Sequence, residues 1–215
     1  MLEKNLSLFE ELDPEQGLTP EGGLFKQGYT RIAGVDEAGR GPLAGPVVAA
    51  AVILDDACEY PGVTDSKKMT PAQREQAFWL ILKKASAVAL GMVGQKEIDR
   101  INILRASVKA MAQAVSDLTP VPDFVLVDGT VELPVDLLQK TLVHGDYLSQ
   151  SIGAASIVAK VTRDRLMKGY DRIYPKYGFA SHKGYATKGH LEALTRHGPC
   201  SLHRFTFARV RPEDG

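Results

Sequence analysis

The sequence predicts an α/β domain, because apolar strand-like segments alternate with helical patterns along most of the chain. Residues 124–127 are apolar throughout, which is typical of a strand buried on both faces. Apolar residues recur at steps of three and four from Ile101 to Leu118, and this spacing predicts one buried helix face. Segments with the pattern of a strand lie at 32–35, 47–54, 87–94, 124–127 and 141–146.

Capping signals mark two further helices. Thr70 followed by Pro71 and Gln73 is a capping-box pattern, which predicts a helix as far as about residue 86. Thr187 is the expected cap of a final helix that ends at Gly198.

A long helix is predicted between residue 146 and Tyr174. Its small residues at 153–156 would let it pack closely against the sheet. The residues expected on its buried face are Ile152, Ala155, Ala159, Thr162 and Leu166.

The formal net charge of zero conceals an uneven distribution of charge along the chain. Residues 1–65 contain 4 Lys or Arg and 12 Asp or Glu, whereas residues 160–210 contain 11 Lys or Arg and 3 Asp or Glu. Four of the five histidines and four of the seven tyrosines also lie in the basic segment. The balanced total therefore does not argue against a polyanionic partner.

Several functional classes have no support in the sequence. The two cysteines, Cys58 and Cys200, match no metal-ligand spacing and are expected to be free thiols. The N-terminus is acidic without a signal-peptide core, and the longest apolar stretch is far too short to span a bilayer. We therefore expect a cytoplasmic monomer that does not associate with membranes.

Acidic residues follow three of the predicted strands. Asp36 and Glu37 come directly after the first strand, Asp128 follows the fourth, and Asp146 closes the fifth. Because ligand sites in open α/β sheets gather beyond the carboxyl ends of the strands, we expect these carboxylates to lie together. Taken singly, Asp128 also fits an ordinary Asp-Gly turn, and Asp146 also fits the N-cap of the long helix.

Carboxylates brought together in this way would raise one another's pKa unless cations neutralise them. Hard oxygen ligands suit Mg²⁺ or Mn²⁺, and two such ions about 4 Å apart can activate a water and stabilise a leaving oxygen in phosphoryl transfer. Asp36 and Glu37 would point to opposite faces of a regular strand. We therefore expect Glu37 to lie at a bend or to contribute through its backbone.

The first strand leads into a short turn rich in glycine and proline, which suits backbone that must approach another molecule closely. The segment reads Asp36-Glu37-Ala38-Gly39-Arg40-Gly41-Pro42-Leu43-Ala44-Gly45-Pro46. Later segments are Asp65-Ser66-Lys67-Lys68, Val127-Asp128-Gly129, His144-Gly145-Asp146, Ala154-Ala155-Ser156-Ile157-Val158-Ala159-Lys160, His182-Lys183-Gly184-Tyr185 and His203-Arg204. In this order they resemble the ribonuclease HII family, metal-dependent nucleases that cut the RNA strand of RNA–DNA duplexes.

The resemblance implies a ribonuclease-H-like mixed five-stranded sheet flanked by helices. Turn residues interrupt the pattern of residues 1–28, so we expect an N-terminal extension there and a catalytic domain at 29–215. The resemblance implies that a C-terminal helical extension of this domain, from about residue 170, closes over the substrate. The implied substrates are RNA–DNA hybrids and DNA duplexes containing ribonucleotides, cut 5′ of the ribonucleotide to leave 3′-hydroxyl and 5′-phosphate ends. The implied cofactor is Mg²⁺ or Mn²⁺, with two ions in each site.

The resemblance also assigns roles to individual residues. The implied catalytic residues and metal ligands are Asp36, Glu37, Asp128 and Asp146. The implied substrate-binding residues are Gly39, Arg40, Gly41, Ser66, Lys67, Lys68, Lys183 and Tyr185. Among them, the Gly39-Arg40-Gly41 backbone would approach the ribonucleotide, and Tyr185 would sense its 2′-hydroxyl.

Two other functional classes remain open at the level of the sequence. A nucleotide-binding module could use the Gly-rich turn as a phosphate cradle without hydrolysis, although no G-x-x-x-x-G-K-[ST] motif occurs. A non-catalytic binder of hybrid duplexes would bind without metal and would need neither Asp128 nor Asp146.

Overall fold

The computed structural model describes residues 19–63 and 69–210. Its helices are α1 (Pro20–Lys26), α2 (Pro71–Lys84), α3 (Gln95–Ile101), α4 (Ile103–Ser116), α5 (Gly145–Leu148), α6 (Gln150–Ile173), α7 (Phe179–His182) and α8 (Lys188–His197). Its strands are β1 (Ile32–Ala38), β2 (Val47–Ile53), β3 (Ala87–Val93), β4 (Phe124–Asp128) and β5 (Gln139–Leu142). The predicted contacts Ser66, Lys67 and Lys68 lie outside the described residues.

The strands form one sheet in the order β3-β2-β1-β4-β5. β1 pairs antiparallel with β2 and parallel with β4, while β3 and β5 extend the sheet on either side. The mixed five-stranded sheet flanked by helices is therefore confirmed. Val35 of β1 pairs with Val127 of β4, so the carboxyl ends of these two central strands reach the same edge of the sheet.

Helices cover both faces of this sheet. Helix α6 packs on one face of β1 and β2, and α4 packs on the other face. A Cβ at Gly34 would lie 2.1 Å from the backbone of Ser151, and one at Gly91 would lie 1.9 Å from the Ala110 carbonyl oxygen. Glycine at these two positions lets each helix contact the sheet backbone directly. In the part of the chain that the structure describes, no helix could cross a membrane.

The end of the fifth strand differs from the prediction. β5 ends at Leu142, and Asp146 lies in the short helix α5 instead of closing a strand. The backbone turns at His144, which adopts a left-handed conformation with φ of 58°. Ser149 caps α6, since its hydroxyl accepts from the Ile152 N–H at 3.1 Å. The interpretation of Asp146 as the N-cap of the long helix is therefore wrong.

Two helix predictions need correction in detail. The first is the helix predicted from Ile101, which begins instead at Ile103, because Asn102 turns the chain with φ of 69° and separates α4 from α3. In α6, Ile152, Ala155 and Ala159 are buried as predicted, whereas Thr162 and Leu166 are only half-buried. Arg163 and Met167 are buried instead, because this half of α6 packs on the Gly-rich turn and the C-terminal helices.

The capping predictions for α2 and α8 are confirmed. Thr70 and Gln73 form both bonds of a capping box, and the Thr187 hydroxyl accepts from the His190 N–H at 3.3 Å. These bonds satisfy backbone donors that a helix start would otherwise leave unpaired.

The described part of the N-terminal extension packs onto the sheet domain through α1. Leu24 is buried in a cluster that includes Phe124 and Ile152. The Glu21 carboxylate accepts bonds from the Ser151 N–H and from the Ser149 and Ser151 hydroxyls at the start of α6. A carboxylate at a helix N-terminus is favourable both as a hydrogen-bond acceptor and as a charge opposite the helix dipole.

Candidate active site

Three of the four predicted acids border one cavity at the carboxyl end of the central strands. Asp36 and Glu37 come from β1 and Asp128 from β4, and the cavity that they line has a volume of about 320 Å³. The other side chains and glycines around it are Ala38, Gly39, Arg40, Gly41, Arg74, Ser156, Lys160 and Tyr185. Carboxylates, cations and an aromatic ring therefore surround one opening.

Asp36 and Glu37 both lie within regular β1 structure. Their register with β2 is unbroken, with Asp36 opposite Ala50 and Glu37 opposite Ala49. The expectation that Glu37 lies at a bend is therefore wrong. Pairing of β1 with β4 ends at Val35, so the last part of β1 extends beyond its neighbour and both acids can reach the open edge.

Burial and mutual repulsion act together on these carboxyl groups. Burial raises the pKa of Asp36 well above its ordinary value, and the charges of Glu37 and Asp128 raise it further. Burial also raises the pKa of Glu37, against the opposing effect of Arg40, whose Nη1 lies 3.3 Å from Glu37 Oε1. Deprotonated, these groups form a concentration of negative charge that a bound cation would relieve.

Asp128 and Asp146 are connected through the start of α5. The Gly145 N–H donates to Asp128 Oδ1 at 2.8 Å, which fixes the carboxylate next to the residue preceding Asp146. Asp146 is buried and borders a different cavity, of about 390 Å³, which is also lined by residues of α1 and the start of α6. The structure thus brings Asp36, Glu37 and Asp128 around one cavity, whereas Asp146 borders a different one.

The donor set suits a hard divalent cation. Within residues 19–63 and 69–210, no three His, Cys, Asp or Glu side chains form a ready metal-binding group. Asp36, Glu37 and Asp128 nevertheless offer only oxygen donors to the cavity that they line, and Mg²⁺ and Mn²⁺ prefer such donors. The raised pKa values of Asp36 and Glu37 give the protein an electrostatic reason to bind a cation there.

Two buried arginines hold the Gly-rich turn at 39–46 in place. Arg163 donates to the carbonyls of Ala44, Pro46 and Lys183. Arg204 donates to the carbonyls of Gly39, Arg40 and Gly45. Gly39 has φ of 101°, and a Cβ there would lie 2.1 Å from Arg163 Nε, so the turn and the guanidinium require glycine at this position.

A comparison of the chain with known protein families gives a direct match. A family model described as Ribonuclease HII matches residues 33–210. The chain belongs to the ribonuclease HII family. Among curated relatives, Ribonuclease HII of Geobacter sulfurreducens is 52% identical over 212 residues, covering 98% of this chain and 97% of the relative. Ribonuclease HII of Bacillus subtilis is 54% identical over 185 residues, covering 86% of this chain and 72% of the relative.

The fold of a solved structure agrees with this membership. The crystal structure of the ribonuclease H2 from Pyrococcus horikoshii OT3 matches with a TM-score of 0.71 at 28% sequence identity, covering 85% of this chain and 96% of that chain. As a member of the ribonuclease HII family, the chain is a metal-dependent endoribonuclease of the ribonuclease H type. Members of the family act on RNA–DNA hybrids.

The predicted substrate contacts of this ribonuclease HII family member divide into two groups. Gly39, Arg40, Gly41 and Tyr185 border the cavity. The Lys183 ammonium instead donates to the carbonyls of Ala180 and Ser181 at the end of α7, so its phosphate contact stays a prediction.

Sequence reasoning assigned no separate role to three side chains that organise this ribonuclease HII site. Lys160 borders the cavity, with Nζ 5.7 Å from the centre of the Tyr185 ring, and Arg163 and Arg204 hold the turn from within the core. Lys160 and Arg204 lie inside segments that carry the family resemblance. Arg163 follows Lys160 by three residues on α6, but only the tertiary fold reveals that it is buried.

Proposed function

We propose that this enzyme hydrolyses the RNA strand of RNA–DNA hybrids and also cuts duplex DNA on the 5′ side of an embedded ribonucleotide, leaving 3′-hydroxyl and 5′-phosphate ends. The observation that carries this proposal is the cavity in which the buried Asp36 and the half-buried, mutually repelling Glu37 and Asp128 face a Gly-Arg-Gly turn and Tyr185. A charged metal centre and a group able to contact the ribose would then act on the same phosphodiester.

Asp36, Glu37 and Asp128 would hold the divalent ions, with Asp146 adjacent through α5. Two bound Mg²⁺ or Mn²⁺ ions would supply charge stabilisation at the scissile phosphate and an activated water. The Asp36 carboxylate is oriented by the Glu37 N–H at 2.6 Å, and Asp128 by the Gly145 N–H at 2.8 Å. These bonds hold the ligands in place before substrate arrives, so less ordering is needed on binding.

The Gly-rich turn would present backbone donors to the substrate. Arg204 binds the carbonyls of Gly39 and Arg40 from the core side. In a trans peptide the N–H points opposite to the carbonyl, so the N–H groups of Arg40 and Gly41 face away from Arg204. Both residues border the cavity, where these donors could contact a phosphate or ribose oxygen.

Tyr185 would distinguish the ribonucleotide from its deoxyribonucleotide neighbours. Phosphates are the same on both sides of the junction, so the 2′-hydroxyl is the group that identifies it. The Tyr185 side chain is exposed at the cavity, and a Cβ at Gly41 would lie 3.9 Å from its ring. A sugar placed between the turn and this ring could therefore contact both.

We predict that Tyr185→Phe slows cleavage of a one-ribonucleotide duplex by about tenfold or less, because one neutral hydrogen bond contributes roughly 0.5–1.5 kcal/mol. Tyr185→Ala also removes the ring and should nearly abolish junction cleavage. The measurement is single-turnover cleavage of this duplex and of an all-RNA hybrid. Tyr174→Phe, which removes a hydroxyl bonded to Ser201 outside the cavity, is the control. If Tyr185→Ala cuts both substrates as fast as the parent, the tyrosine is not the sensor.

We predict that Lys160→Met weakens binding to hybrid and ribonucleotide-containing duplexes about equally. The ammonium borders the cavity, where it would neutralise a phosphate, and loss of one phosphate contact should reduce the slope of log Kd against log salt by about 1. Fluorescence anisotropy over a series of salt concentrations measures this slope. Lys188→Met, at an exposed position of α8, is the matched control. An unchanged slope for Lys160→Met would exclude the phosphate contact.

One experiment separates this proposal from the two non-catalytic alternatives. Three labelled duplexes, all-DNA, one-ribonucleotide and hybrid, are incubated with Mg²⁺, with Mn²⁺ or with EDTA. The proposal predicts cleavage of the last two duplexes only when metal is present. A duplex binder would retain the hybrid in EDTA without cutting it in any condition, and a nucleotide module would show neither binding nor cleavage.

A further inference from the structure

A pair of buried histidines lies directly behind Tyr185. His190 on α8 and His203 in the C-terminal segment are both fully buried, and their Nε2 atoms are 3.0 Å apart. His190 Nδ1 lies 2.9 Å from the Tyr185 carbonyl oxygen. At the other end, His203 Nδ1 lies 2.9 Å from the Cys200 backbone nitrogen. The four residues form one continuous hydrogen-bonded chain.

The direction of this chain is fixed by its two ends. The Cys200 N–H can only donate, and at 2.9 Å it is a shorter contact of His203 Nδ1 than the Cys200 carbonyl oxygen at 3.3 Å, which already accepts from the His203 backbone N–H at 3.0 Å. His203 Nδ1 is therefore an acceptor, and the His203 proton is on Nε2. The Tyr185 carbonyl can only accept, so the His190 proton is on Nδ1. His203 Nε2–H therefore donates to His190 Nε2, and every group in the chain has a partner.

Both imidazoles are neutral in this arrangement. Burial lowers the pKa of His203 to about 4 and also lowers the pKa of His190. The surrounding rings are His182, stacked on His190 at 4.3 Å between ring centres, and Tyr177 and Phe179, which lie against His203. A proton added to either histidine would place two donors face to face and break the chain.

The chain completes the attachment of the loop that carries Tyr185. Arg163 holds the Lys183 carbonyl, and the Leu43 N–H donates to the Gly184 carbonyl at 2.8 Å. These two contacts connect the loop to α6 and to the Gly-rich turn. His190 provides the next contact at the Tyr185 carbonyl itself, and this contact connects the loop to α8 and to the C-terminal segment. The position of the Tyr185 ring relative to the cavity thus depends on the contacts with Arg163 and Leu43 and on the contact with His190.

We propose that His190 and His203 are positioning residues, which hold Tyr185 at the cavity through their ordered hydrogen bonds from Cys200 to the Tyr185 carbonyl. This role rests on the proposed function of Tyr185 in recognising the ribonucleotide. Neither histidine borders the cavity, so both act on the substrate only through the tyrosine loop. The alternative is that the pair simply fills the core between α7, α8 and the C-terminal segment.

Imidazole ¹⁵N chemical shifts test the chain directly. In a long-range ¹H–¹⁵N correlation spectrum near pH 7, His203 should be the Nε2–H tautomer and His190 the Nδ1–H tautomer. His182 should also be Nε2–H, because its Nδ1 accepts from the Gly184 N–H at 3.1 Å. The exposed His197 serves as a reference that exchanges between tautomers. An imidazolium or the opposite tautomer at His190 or His203 would overturn the proposal.

A double-mutant cycle tests whether the pair acts through Tyr185. His190→Phe removes both hydrogen bonds and should slow single-turnover cleavage of a one-ribonucleotide duplex by about threefold to tenfold. His190→Asn should be less impaired, because its amide can still donate to the Tyr185 carbonyl from the place of Nδ1. In the Tyr185→Ala background, His190→Phe should have no further effect, since the group being positioned is gone. His197→Asn should match the parent.

These experiments distinguish failure of the positioning role from failure of the proposed function. If the parent does not cut the junction, the function is wrong, while the tautomers still decide whether the chain exists. If the parent cuts but His190→Phe and His190→Asn match it, the positioning role is wrong. Equal slowing by His190→Phe with and without Tyr185 would identify the pair as core filling. Should His190→Phe fail to fold, the cycle is run with His190→Asn against the same criteria.

Discussion

Asp36→Asn should reduce cleavage by at least ~10²-fold and at the same time stabilise the metal-free protein at neutral pH. The carboxylate is replaced by a neutral group of the same shape, so the bond from the Glu37 N–H can remain while a charged metal ligand is lost. Metal stabilisation of transition-state charge is worth several kcal/mol, and about 1.4 kcal/mol corresponds to a factor of ten in rate. A loss of two or more orders of magnitude follows.

The gain in stability follows from the direction of the pKa shift. Asp36 has a pKa well above its ordinary value of 3.8, so the folded protein holds this proton more tightly than the unfolded chain does. The stability that the protonated Asp36 carboxyl contributes is fully present below its ordinary pKa. This stability is lost as the pH rises through the raised pKa of the folded protein. Above that value the buried charge destabilises the parent, and the asparagine variant avoids this penalty.

Melting temperatures in EDTA from pH 4 to pH 8 measure this effect, together with single-turnover rates in saturating Mn²⁺. The advantage of Asp36→Asn should grow as the pH rises, and added Mn²⁺ should stabilise the parent much more than the variant. Asp117→Asn, at an exposed position after α4, should change neither rate nor melting temperature. Cleavage by Asp36→Asn within tenfold of the parent would contradict the role of Asp36 as a metal ligand.

Arg204→Met should destabilise the protein by about 3 kcal/mol or more. The side chain is fully buried, and its three donors bind the Gly45, Arg40 and Gly39 carbonyls at 3.0, 2.8 and 2.6 Å. Methionine fills much of the same volume but leaves these acceptors without their donors. Each unsatisfied buried group costs roughly 1–3 kcal/mol, and typical domains are stable by only about 5–15 kcal/mol.

Arg204→Lys gives an intermediate test, because one ammonium cannot reproduce the planar fork that reaches separate carbonyls. Burial lowers the pKa of Arg204 to about 9, so the native side chain remains charged at neutral pH. Urea unfolding monitored by circular dichroism gives the free energy of each variant, and the exposed Arg196→Met is the control. A loss below about 1 kcal/mol for Arg204→Met would mean that the turn does not depend on this guanidinium.

The strands and helix caps of this fold could be predicted because their signals are local. Apolar runs located β1 to β4, whereas the fifth strand, predicted at 141–146, overlaps β5 only at Thr141 and Leu142. Thr70 and Thr187 cap helices as the sequence indicated. The end of β5 was wrong because the left-handed backbone at His144, a residue with a Cβ, has no reliable sequence signal. Asp146 was consequently expected at a strand end, whereas it lies in α5.

Buried charge was the feature that local patterns could not predict. Arg163 lies on α6 among both polar and apolar residues. The spacing of the apolar residues along this helix does not indicate that the Arg163 guanidinium is fully buried. Its burial depends on carbonyls of the Gly-rich turn, which are more than a hundred residues away in sequence. The position of Glu37 also depends on residues distant in sequence, because its access to the cavity is set by where pairing between β1 and β4 ends.

The central claim is that Asp36, Glu37 and Asp128 together hold the catalytic divalent ions. Its most direct test is a Mn²⁺ titration followed by the electron paramagnetic resonance signal of free Mn²⁺. Asp128→Asn is the decisive variant, since the amide can still accept from the Gly145 N–H while the charge is lost. We predict that the parent and the Asp117→Asn control bind Mn²⁺ alike and that Asp128→Asn binds it at least ~10-fold more weakly. Equal binding by the parent and Asp128→Asn would contradict the assignment of this cavity as the metal centre.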